Sequence, residues 1–339
     1  MGARNHTGAK SAAGARIFGE DAFIGARGGR MPAFLQPKVW GNPKAWNWVQ
    51  NGKFGGGFKF GLPLDTGGLD PVLGRIGSLE VRLATTKRDI RRAQRLRYRV
   101  FYNEMSAVPN AACMLAQRDM DEYDAICDHL LVLDHDAPRK PFRPNKPKVV
   151  GTYRLLRQEV ADRSFGFYTA GEFDVQPVID ANPQLRFLEL GRSCVLKPYR
   201  NKRTVELLWH GIWTYVLHHR IDVMFGCASL EGTDPAKMAL PLSFLHHYAR
   251  APEEWNVKAL PDRFVRMDLM SKEGIDARAA LHSLPPLIKG YLRLGGTVGE
   301  GAVIDRQFGT TDVLVMLPVK AINPRYIGHF GATADRHAA

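Results

Sequence analysis

One segment of the chain, residues 187–203, constrains the fold more than any other. It begins with the apolar run Phe-Leu-Glu-Leu-Gly-Arg-Ser-Cys-Val, which is typical of a strand although it carries Glu189 and Arg192. The run breaks at Pro198 into a basic turn, and the pattern from there to about His219 is helical. A turn that opens a helix presents free backbone N–H groups, and added positive charge makes it a site for phosphate.

Four basic side chains of this turn are the predicted contacts for a bound phosphate: Lys197, Arg200, Lys202 and Arg203. A phosphopantetheine thioester needs a cradle of this kind for the phosphate of its arm. The first hypothesis from the residues alone is therefore an enzyme that transfers an acyl group from such a thioester.

Length and charge are compatible with this hypothesis. The chain has 339 residues and a net charge of +13, so its partners are expected to be anionic: an acidic carrier protein, a phosphorylated cofactor, anionic lipid or nucleic acid. Its four cysteines form no Cys-x-x-Cys pair, which favours a reducing cytoplasm over a zinc ribbon or a disulfide framework. No apolar run reaches the roughly 18–20 residues of a membrane span, and no signal peptide is indicated.

Residues 1–78 differ in composition from the rest of the chain. They hold 17 of the 33 glycines and 10 Lys+Arg against 4 Asp+Glu, without helical or strand periodicity. This composition predicts a disordered basic extension, followed by a folded domain over 79–330 and a tail over 331–339. Aromatic side chains interleaved with lysines suit an anionic membrane surface, and they suit docking on the protein's own surface equally. The aromatic candidates for membrane contact are Trp46, Trp48 and Phe54.

The pattern from residue 79 predicts a mixed fold of strands and helices. Residues 78–83 alternate like a strand, and Thr86 with Asp89 resembles a capping box at the start of a helix. Arg97 lies within the apolar stripe of that helix, where it either extends to the rim or binds a buried anion. Further strands are predicted at 129–134, 149–156, 186–195 and 223–229, helices at about 203–219 and 235–249, and a proline-rich loop at 138–147. The order favours an α/β or α+β fold with a mixed central sheet flanked by helices.

Charged residues recur where a core is expected. Asp121 and Asp124 precede one predicted strand, Arg154 lies in the next, and Glu189 and Arg192 lie three residues apart on a third. That spacing puts Glu189 and Arg192 on opposite faces of a strand unless a bulge intervenes. Each residue alone is typical of a structural ion pair, whereas together they indicate a polar substrate pocket.

Two sets of motifs resemble known enzyme families. The first resembles the acyl-homoserine lactone synthases, a branch of the N-acetyltransferase (GNAT) superfamily; it comprises Arg97-x-x-x-Phe101, Asp121-x-x-Asp124, Gly151-x-x-Arg154-Leu and Glu189-x-x-Arg192. The second spans about residues 76–330 and is similar to the L-ornithine Nα-acyltransferases of ornithine lipid synthesis; it comprises Glu189-Leu-Gly-Arg-Ser-Cys-Val, Phe225-Gly-Cys-Ala-Ser-Leu, Lys289-Gly-Tyr-Leu-Arg-Leu-Gly and Asp305-x-x-Phe-Gly-Thr-Thr-Asp312-Val.

Two departures refine these resemblances. Ala107 stands where the lactone synthases tend to have a tryptophan, which argues against lactone synthesis. Arg200-Asn-Lys-Arg203 replaces the glycine-rich pyrophosphate loop of acetyl-CoA enzymes, which favours acyl carrier protein over coenzyme A as the donor. The resemblance therefore implies transfer of a (3-hydroxy)acyl group to L-ornithine, without a metal or a separate cofactor. The alternative is an acyl-carrier-dependent N-acyltransferase of another amino acid, or an enzyme similar to the acyl-homoserine lactone synthases.

The implied reaction is attack of an amine on a thioester, and it assigns roles to several residues. Glu189 is the candidate base that deprotonates the amine, its alternative role being an ion pair with Arg192. Backbone N–H groups of Cys194 and Val195 are the candidate oxyanion donors. Arg154 or Arg192 is expected to bind the carboxylate of ornithine, and Asp121 or Asp124 its side-chain ammonium. The general acid stays open among three tyrosines: Tyr199, Tyr215 and Tyr248.

Three rival hypotheses have weaker support in the sequence. Cys194 as a nucleophile lacks an accompanying histidine pattern, and a buried cysteine is usually a small apolar filler. The candidate ligands for a metal are the histidine pairs 218–219 and 246–247, or Asp121 and Asp124 with His129. Adjacent histidines on a helix diverge by about 100°, which is poor geometry for a metal. A nucleic-acid-binding protein is motivated by the net charge alone, since no recognition motif is present.

Overall fold

The computed structural model describes residues 65–105, 107–138 and 146–323. Residues 1–64 of the predicted extension, with the three aromatic candidates for membrane contact, lie outside the described residues. So do most of the predicted proline-rich loop and the chain from residue 324 onwards.

The described residues form one eight-stranded sheet with helices on both faces. Its strands are β1 (Val72–Ile76), β2 (Leu79–Leu83), β3 (Asp128–Asp134), β4 (Lys148–Arg157), β5 (Phe187–Val195), β6 (Val223–Glu231), β7 (Thr297–Asp305) and β8 (Thr310–Pro318). The α-helices are α1 (Lys87–Tyr98), α2 (Ala111–Ala116), α3 (Gln158–Asp162), α4 (Gln176–Asp180), α5 (Lys202–His219), α6 (Ala239–Tyr248), α7 (Ala277–Ser283) and α8 (Pro286–Leu294). The predicted mixed sheet flanked by helices is thus confirmed.

Spatial order in the sheet is β1-β2-β3-β4-β5-β6-β8-β7. Neighbouring strands are antiparallel except β5 and β6, which run parallel. The crossover between these two strands is α5, as a parallel pair requires. Residues 187–203 therefore form one strand of the central parallel pair and the start of the helix that connects it to the other.

The folded part begins earlier than the sequence predicts. Strand β1 pairs with β2 at the edge of the sheet, although it lies within the segment 1–78 assigned to the extension. Its five residues contain Gly74 and are followed by Gly77, which has a positive φ of 60° in the turn to β2. Glycine in a strand weakens the alternation from which strands are predicted, so the compositional boundary falls too late.

The two faces of the sheet differ in chemistry. Helix α1 begins at Thr86, whose side chain accepts from the N–H of Asp89 as the capping pattern predicts. It packs against β4 and β5. Helix α5 covers β1 to β4 on the other face, where Gly211 lies so close to Val81 that an added Cβ would collide with it. That second face is the apolar core, and the first one carries the polar site.

A bulge and a gap interrupt the middle of the sheet. The register between β4 and β5 shifts between Thr152 and Arg154, and the bulged strand places Arg192 in the left-handed region with a φ of 49°. On the other side of β5, pairing with β6 ends at Glu189 and Phe225, although both strands continue. The strands therefore separate into a gap beyond Glu189, and the bulge lies beside it.

Candidate active site

The pairing register collects polar side chains on one face of the sheet. Residues directly opposite each other on neighbouring strands point to the same face. His129 is opposite Arg154, and Glu189 is two residues before Gly191, which is opposite Arg154 as well. Glu189 is in turn opposite Phe225 on β6, and Cys227 follows two residues later. His129, Arg154, Glu189 and Cys227, from β3, β4, β5 and β6, therefore lie on the same face of the sheet.

Arg97 is fully buried against two carboxylates. Its Nε lies 2.8 Å from Asp119 Oδ2, and its Nη2 lies 2.7 Å from Asp124 Oδ2 and 2.8 Å from Asp124 Oδ1. Gln94 donates a further bond of 2.9 Å to Asp124. Arg97 holds the pKa of Asp124 well below its usual range despite the burial of that carboxyl. The anion that satisfies the predicted buried arginine is therefore a pair of aspartates from the chain itself.

A second group of charges lies nearer the opening. Arg154 Nη1 is 2.5 Å from Asp121 Oδ1, and Arg192 Nη2 is 3.1 Å from Asp121 Oδ2. The side chains of Arg192 and Asp121 retain 14% and 16% exposure, more than Arg97 and Asp124. The structure brings all five predicted substrate-binding residues together, and Arg192 and Asp121 are the two that face outwards.

Glu189 lies at the point where β5 and β6 separate. Its carboxylate accepts the backbone N–H of Tyr168 at 3.0 Å and that of Thr169 at 2.6 Å, both in the short helical turn Tyr168–Gly171. Burial raises the pKa of Glu189. These hydrogen bonds, and the positive charge of the nearby Arg154, oppose that rise. No ion pair joins Glu189 to Arg192 among the described contacts, although the bulge turns Arg192 towards Tyr168 at 4.7 Å.

The two predicted oxyanion donors point in opposite directions. Leu196 donates its backbone N–H to Val150 O at 2.9 Å, towards β4. Successive residues of a strand direct their backbone groups to opposite edges, so the N–H of Cys194, opposite Thr152, also points to β4. The N–H of Val195 faces the gap. The carbonyl of Val195 points the same way as its N–H and accepts a hydrogen bond from Arg200 Nε at 2.9 Å.

The basic turn lies at the surface next to the mouth of the gap. Lys197 begins a short helical turn, and α5 starts at Lys202 with Asn201 as its N-cap. Arg200 bridges the turn to Glu104 at 2.7 Å, whereas Lys202 is exposed and 3.4 Å from Glu206. Arg203 is exposed as well. The four predicted phosphate contacts therefore surround one helix start, as the sequence indicates.

The tyrosines named as candidate general acids lie away from Glu189. Tyr199 donates to Asp134 and Tyr215 to Asp128, while Tyr248 stacks on Phe244 of α6. A fourth tyrosine, Tyr168, lies at the site instead. Its ring packs against the guanidinium groups of Arg192 and Arg154 at 4.7 and 5.6 Å, and burial raises its pKa, so it stays protonated.

The rival chemistries find little support at these positions. Burial raises the pKa of the Cys194 thiol to about 12, which keeps it protonated and unreactive. His129 is buried and has its pKa lowered to about 4, with Nε2 at 3.1 Å from Asp124 O. Asp121 and Asp124, which the metal hypothesis would use with His129, already bind the arginines.

An acidic cluster that no sequence motif indicates as a site lies beyond the gap. Carboxylate oxygens of Glu172, Asp305 and Asp312 lie within 4.8 Å of one another, and all three residues are buried. Asp305 and Asp312 belong to a motif quoted for the family resemblance, but Glu172 lies in a loop after Tyr168–Gly171. Only the fold brings these three positions together.

Comparison with known proteins identifies the family of the chain. The acetyltransferase (GNAT) domain family matches residues 96–210, which include the end of α1, strands β3 to β5 and the first half of α5. The L-ornithine N(alpha)-acyltransferase of Brucella abortus is 57% identical over 265 residues, which cover 78% of this chain and 93% of that protein. The enzyme of the same name from Agrobacterium fabrum is 53% identical over 265 residues, covering 78% and 89%.

Among solved structures, FeeM, an N-acyl amino acid synthase from uncultured soil microbes, matches with a TM-score of 0.41 and 10% identity, covering 71% of this chain and 91% of that one. A likeness of this size has no bearing on substrate. The identity to the curated enzymes extends over almost their whole length. The chain is an acyltransferase and belongs to the L-ornithine N(alpha)-acyltransferases, with a GNAT domain at its centre.

Proposed function

We propose that the chain transfers a (3-hydroxy)acyl group from the thioester of an acyl carrier protein to the α-amine of L-ornithine, the first step of ornithine lipid synthesis. The observation that carries the proposal is the gap between β5 and β6, with Glu189 at its apex and the N–H of Val195 directed towards it. A thioester in this gap has a base and an oxyanion donor on one strand.

Glu189 acts as the base in this reaction. The α-amine of an amino acid is largely protonated at neutral pH, so it must lose a proton before it attacks. A carboxylate whose pKa is raised by burial accepts that proton better than an exposed one, directly or through a water molecule. The two backbone N–H groups that bind Glu189 fix its orientation and leave lone pairs for the substrate.

The remaining steps use Val195, Tyr168 and Arg192. The amine nitrogen forms a bond to the thioester carbon, and the negative charge on the oxygen is stabilised by the N–H of Val195. The carbon–sulfur bond then breaks. Tyr168 donates a proton to the leaving thiolate and regains one from the nitrogen, which loses its second proton as the amide forms. Arg192, held between the rings of Tyr168 and Phe308, binds the carboxylate of ornithine. The products are an amide and the free thiol of the carrier.

The donor is an acyl carrier protein because the helix start beside the gap presents surface lysines and arginines. Carrier proteins are acidic, and complementary charge speeds their encounter with the enzyme. Arg200 connects this basic surface to the gap, since it contacts Val195 O and lies 2.7 Å from Glu104.

Peripheral contact with an anionic membrane fits an amphiphilic product. No helix of the described residues is long and apolar enough to cross a membrane. Four large apolar side chains are nevertheless exposed close together in the sequence: Met105, Val108, Met114 and Leu115. Val108 donates its N–H to Gln307 O, next to Phe308 at the site, so this patch adjoins the rim of the cleft. We infer that the patch and the basic segment 1–64 hold the enzyme at the bilayer.

The direct test of the function is product analysis. Purified protein, acyl carrier protein loaded with a 3-hydroxyacyl group, and a panel of amino acids are incubated, and N-acyl products are identified by mass spectrometry. We expect Nα-acyl-ornithine as the main product. Acylation of another amino acid in preference, or activity with acyl-coenzyme A only, would refute the acceptor or the donor respectively.

A further inference from the structure

We propose that the acidic cluster formed by Glu172, Asp305 and Asp312 binds the side-chain ammonium of ornithine and thereby selects a diamino acid. This inference rests on the proposed function and assigns a specificity site within it. The three residues come from a loop, from β7 and from β8, and their carboxylate oxygens converge within 4.8 Å. A primary ammonium has three N–H donors, which equals the number of converging carboxylates.

Asp312 offers a buried carboxylate oxygen to a cation. Its side chain is only 7% exposed, yet Oδ1 has no hydrogen-bond partner within the described part of the chain. An unsatisfied buried carboxylate oxygen is costly, and a ligand that supplies an N–H removes the cost. Asp305 differs, because its Oδ1 accepts the N–H groups of Gln307 and Phe308.

Repulsion among the three carboxylates also favours binding of a cation. Burial, and after it repulsion from Asp312, raises the pKa of Glu172 to about 7. Burial, and repulsion from Asp305, raises the pKa of Asp312 to about 6. The surrounding positive groups are Arg263, 3.4 Å from Glu172, and Arg192 across the gap. Three crowded carboxylates remain under-compensated, and a bound ammonium stabilises their ionised forms.

The cluster lies at the right place relative to the reacting amine. Thr169 donates its N–H to Glu189 at 2.6 Å, and its hydroxyl lies 3.7 Å from Cys227 Sγ, which in turn is 3.3 Å from Glu172 Oε2. Two residues therefore separate the base from the cluster. The two nitrogen atoms of extended ornithine are roughly 6 Å apart from standard bond lengths. One small diamine can place one nitrogen near Glu189 and direct the other to the cluster.

Access to the cluster is open along β6. Ser229 is opposite Asp312 in the β6–β8 register, so its side chain lies on the same face, and it is exposed. Cys227, two residues earlier, is partly exposed. Burial raises the pKa of the Cys227 thiol well above its ordinary value, so it remains a neutral neighbour. A ligand therefore enters past Ser229 without displacing a core side chain.

An organic ammonium suits this cluster better than a divalent metal ion. Ca²⁺ and Mg²⁺ require six or more oxygen ligands, some of which are water, and a compact coordination sphere. The guanidinium of Arg263 contacts both Glu172 and the carbonyl of Gly171, at 3.4 and 2.7 Å. A dication next to this fixed positive charge is disfavoured more strongly than a single ammonium charge.

The test compares L-ornithine with L-norvaline, which has the same carbon skeleton without the side-chain amine. In Asp312→Asn we expect KM for ornithine to rise at least tenfold. For norvaline, both kcat and KM should stay within twofold of their wild-type values. Glu172→Gln should show the same selective rise. Asp262→Asn, an exposed site, is the matched control. Circular dichroism and thermal unfolding check that each variant is folded.

Three outcomes overturn the inference. Equal rises in KM for ornithine and norvaline would show that the cluster acts on the structure as a whole. Loss of activity towards both substrates on adding EDTA, restored by Mg²⁺ or Mn²⁺, would assign the cluster to a metal. A wild-type kcat/KM for ornithine less than threefold above that for norvaline would show that the enzyme does not select for the side-chain amine. Absence of acylation with either substrate would instead refute the proposed function.

Discussion

Replacement of Arg97 by methionine tests whether this residue stabilises the fold or binds substrate. Its guanidinium is buried and forms bonds of 2.7 to 2.8 Å to the carboxylates of Asp119 and Asp124. Without it, two buried carboxylates lose their main counter-charge, although Asp119 keeps Tyr102 and Asp124 keeps Gln94. Removal of one partner from a buried ion pair costs about 3–5 kcal/mol. That is a large part of the roughly 5–15 kcal/mol by which a domain is stable.

The pH dependence of the unfolding free energy of Arg97→Met is a second, independent test of the structural role of Arg97. Since Arg97 lowers the pKa of Asp124 in the folded state, the stabilisation is complete above the unfolded pKa and is lost as the pH falls. In Arg97→Met the folded pKa of Asp124 rises, so the variant should lose less stability on acidification, relative to its own value at pH 7, than the wild type. The change in the unfolding free energy below about pH 5, where the unfolded carboxyl takes up its proton first, measures this difference.

Urea unfolding followed by tryptophan fluorescence provides the free energies, and Arg95→Met is the matched control. Arg95 is on the same helix but exposed, so its replacement should change stability by at most about 0.5 kcal/mol. A folded Arg97→Met variant with near-normal stability and a greatly raised KM for ornithine would contradict the structural role and restore Arg97 as a substrate contact.

The remaining predictions concern pH, donor and membrane. KM for ornithine, relative to that for norvaline, should fall as the pH rises from about 5.5 to 7.5, because the carboxyls with pKa values of about 7 and 6 must ionise to bind an ammonium; a flat ratio would argue against the cluster. Reversal of Lys202 and Arg203 to glutamate should raise KM for the acyl carrier protein, most at low salt, and leave KM for ornithine unchanged. Replacement of Met114 and Leu115 by serine should weaken sedimentation with anionic vesicles, whereas Leu217→Ser, also exposed, should not.

Much of this fold could be predicted from local patterns. Thr86 and Asp89 form the predicted cap of α1, and the strand and helix after Phe187 lie where the apolar run and the basic turn indicate. These features depend on neighbours in the chain, which is why periodicity and capping chemistry reveal them. Strand β1 was missed because glycine obscures its short pattern.

Features that depend on contacts between distant segments could not be predicted in the same way. The sequence does not reveal the bulge at Arg192, because the residue has a φ of 49°, which local sequence does not favour. Tyr168 was missed because it lies in a loop that tertiary contacts place over Glu189. Glu172 and Asp312 are 140 positions apart in the chain. The loop of Glu172 lies against Cys227 of β6, and β6 pairs with β8, which carries Asp312.

The measurement that tests the central claim most directly is the turnover of Glu189→Gln with loaded acyl carrier protein and L-ornithine. Glutamine keeps the size of the side chain but cannot accept the proton of the amine at neutral pH. We expect kcat to fall by about 10²–10⁴-fold, the usual contribution of a general base. Thermal unfolding should stay cooperative, as in the exposed control Glu253→Gln, but at a lower temperature, because the amide accepts only one of the two backbone N–H groups that bind the carboxylate. A folded Glu189→Gln variant that forms Nα-acyl-ornithine at near wild-type kcat would contradict the role of Glu189 and the reaction site at the gap.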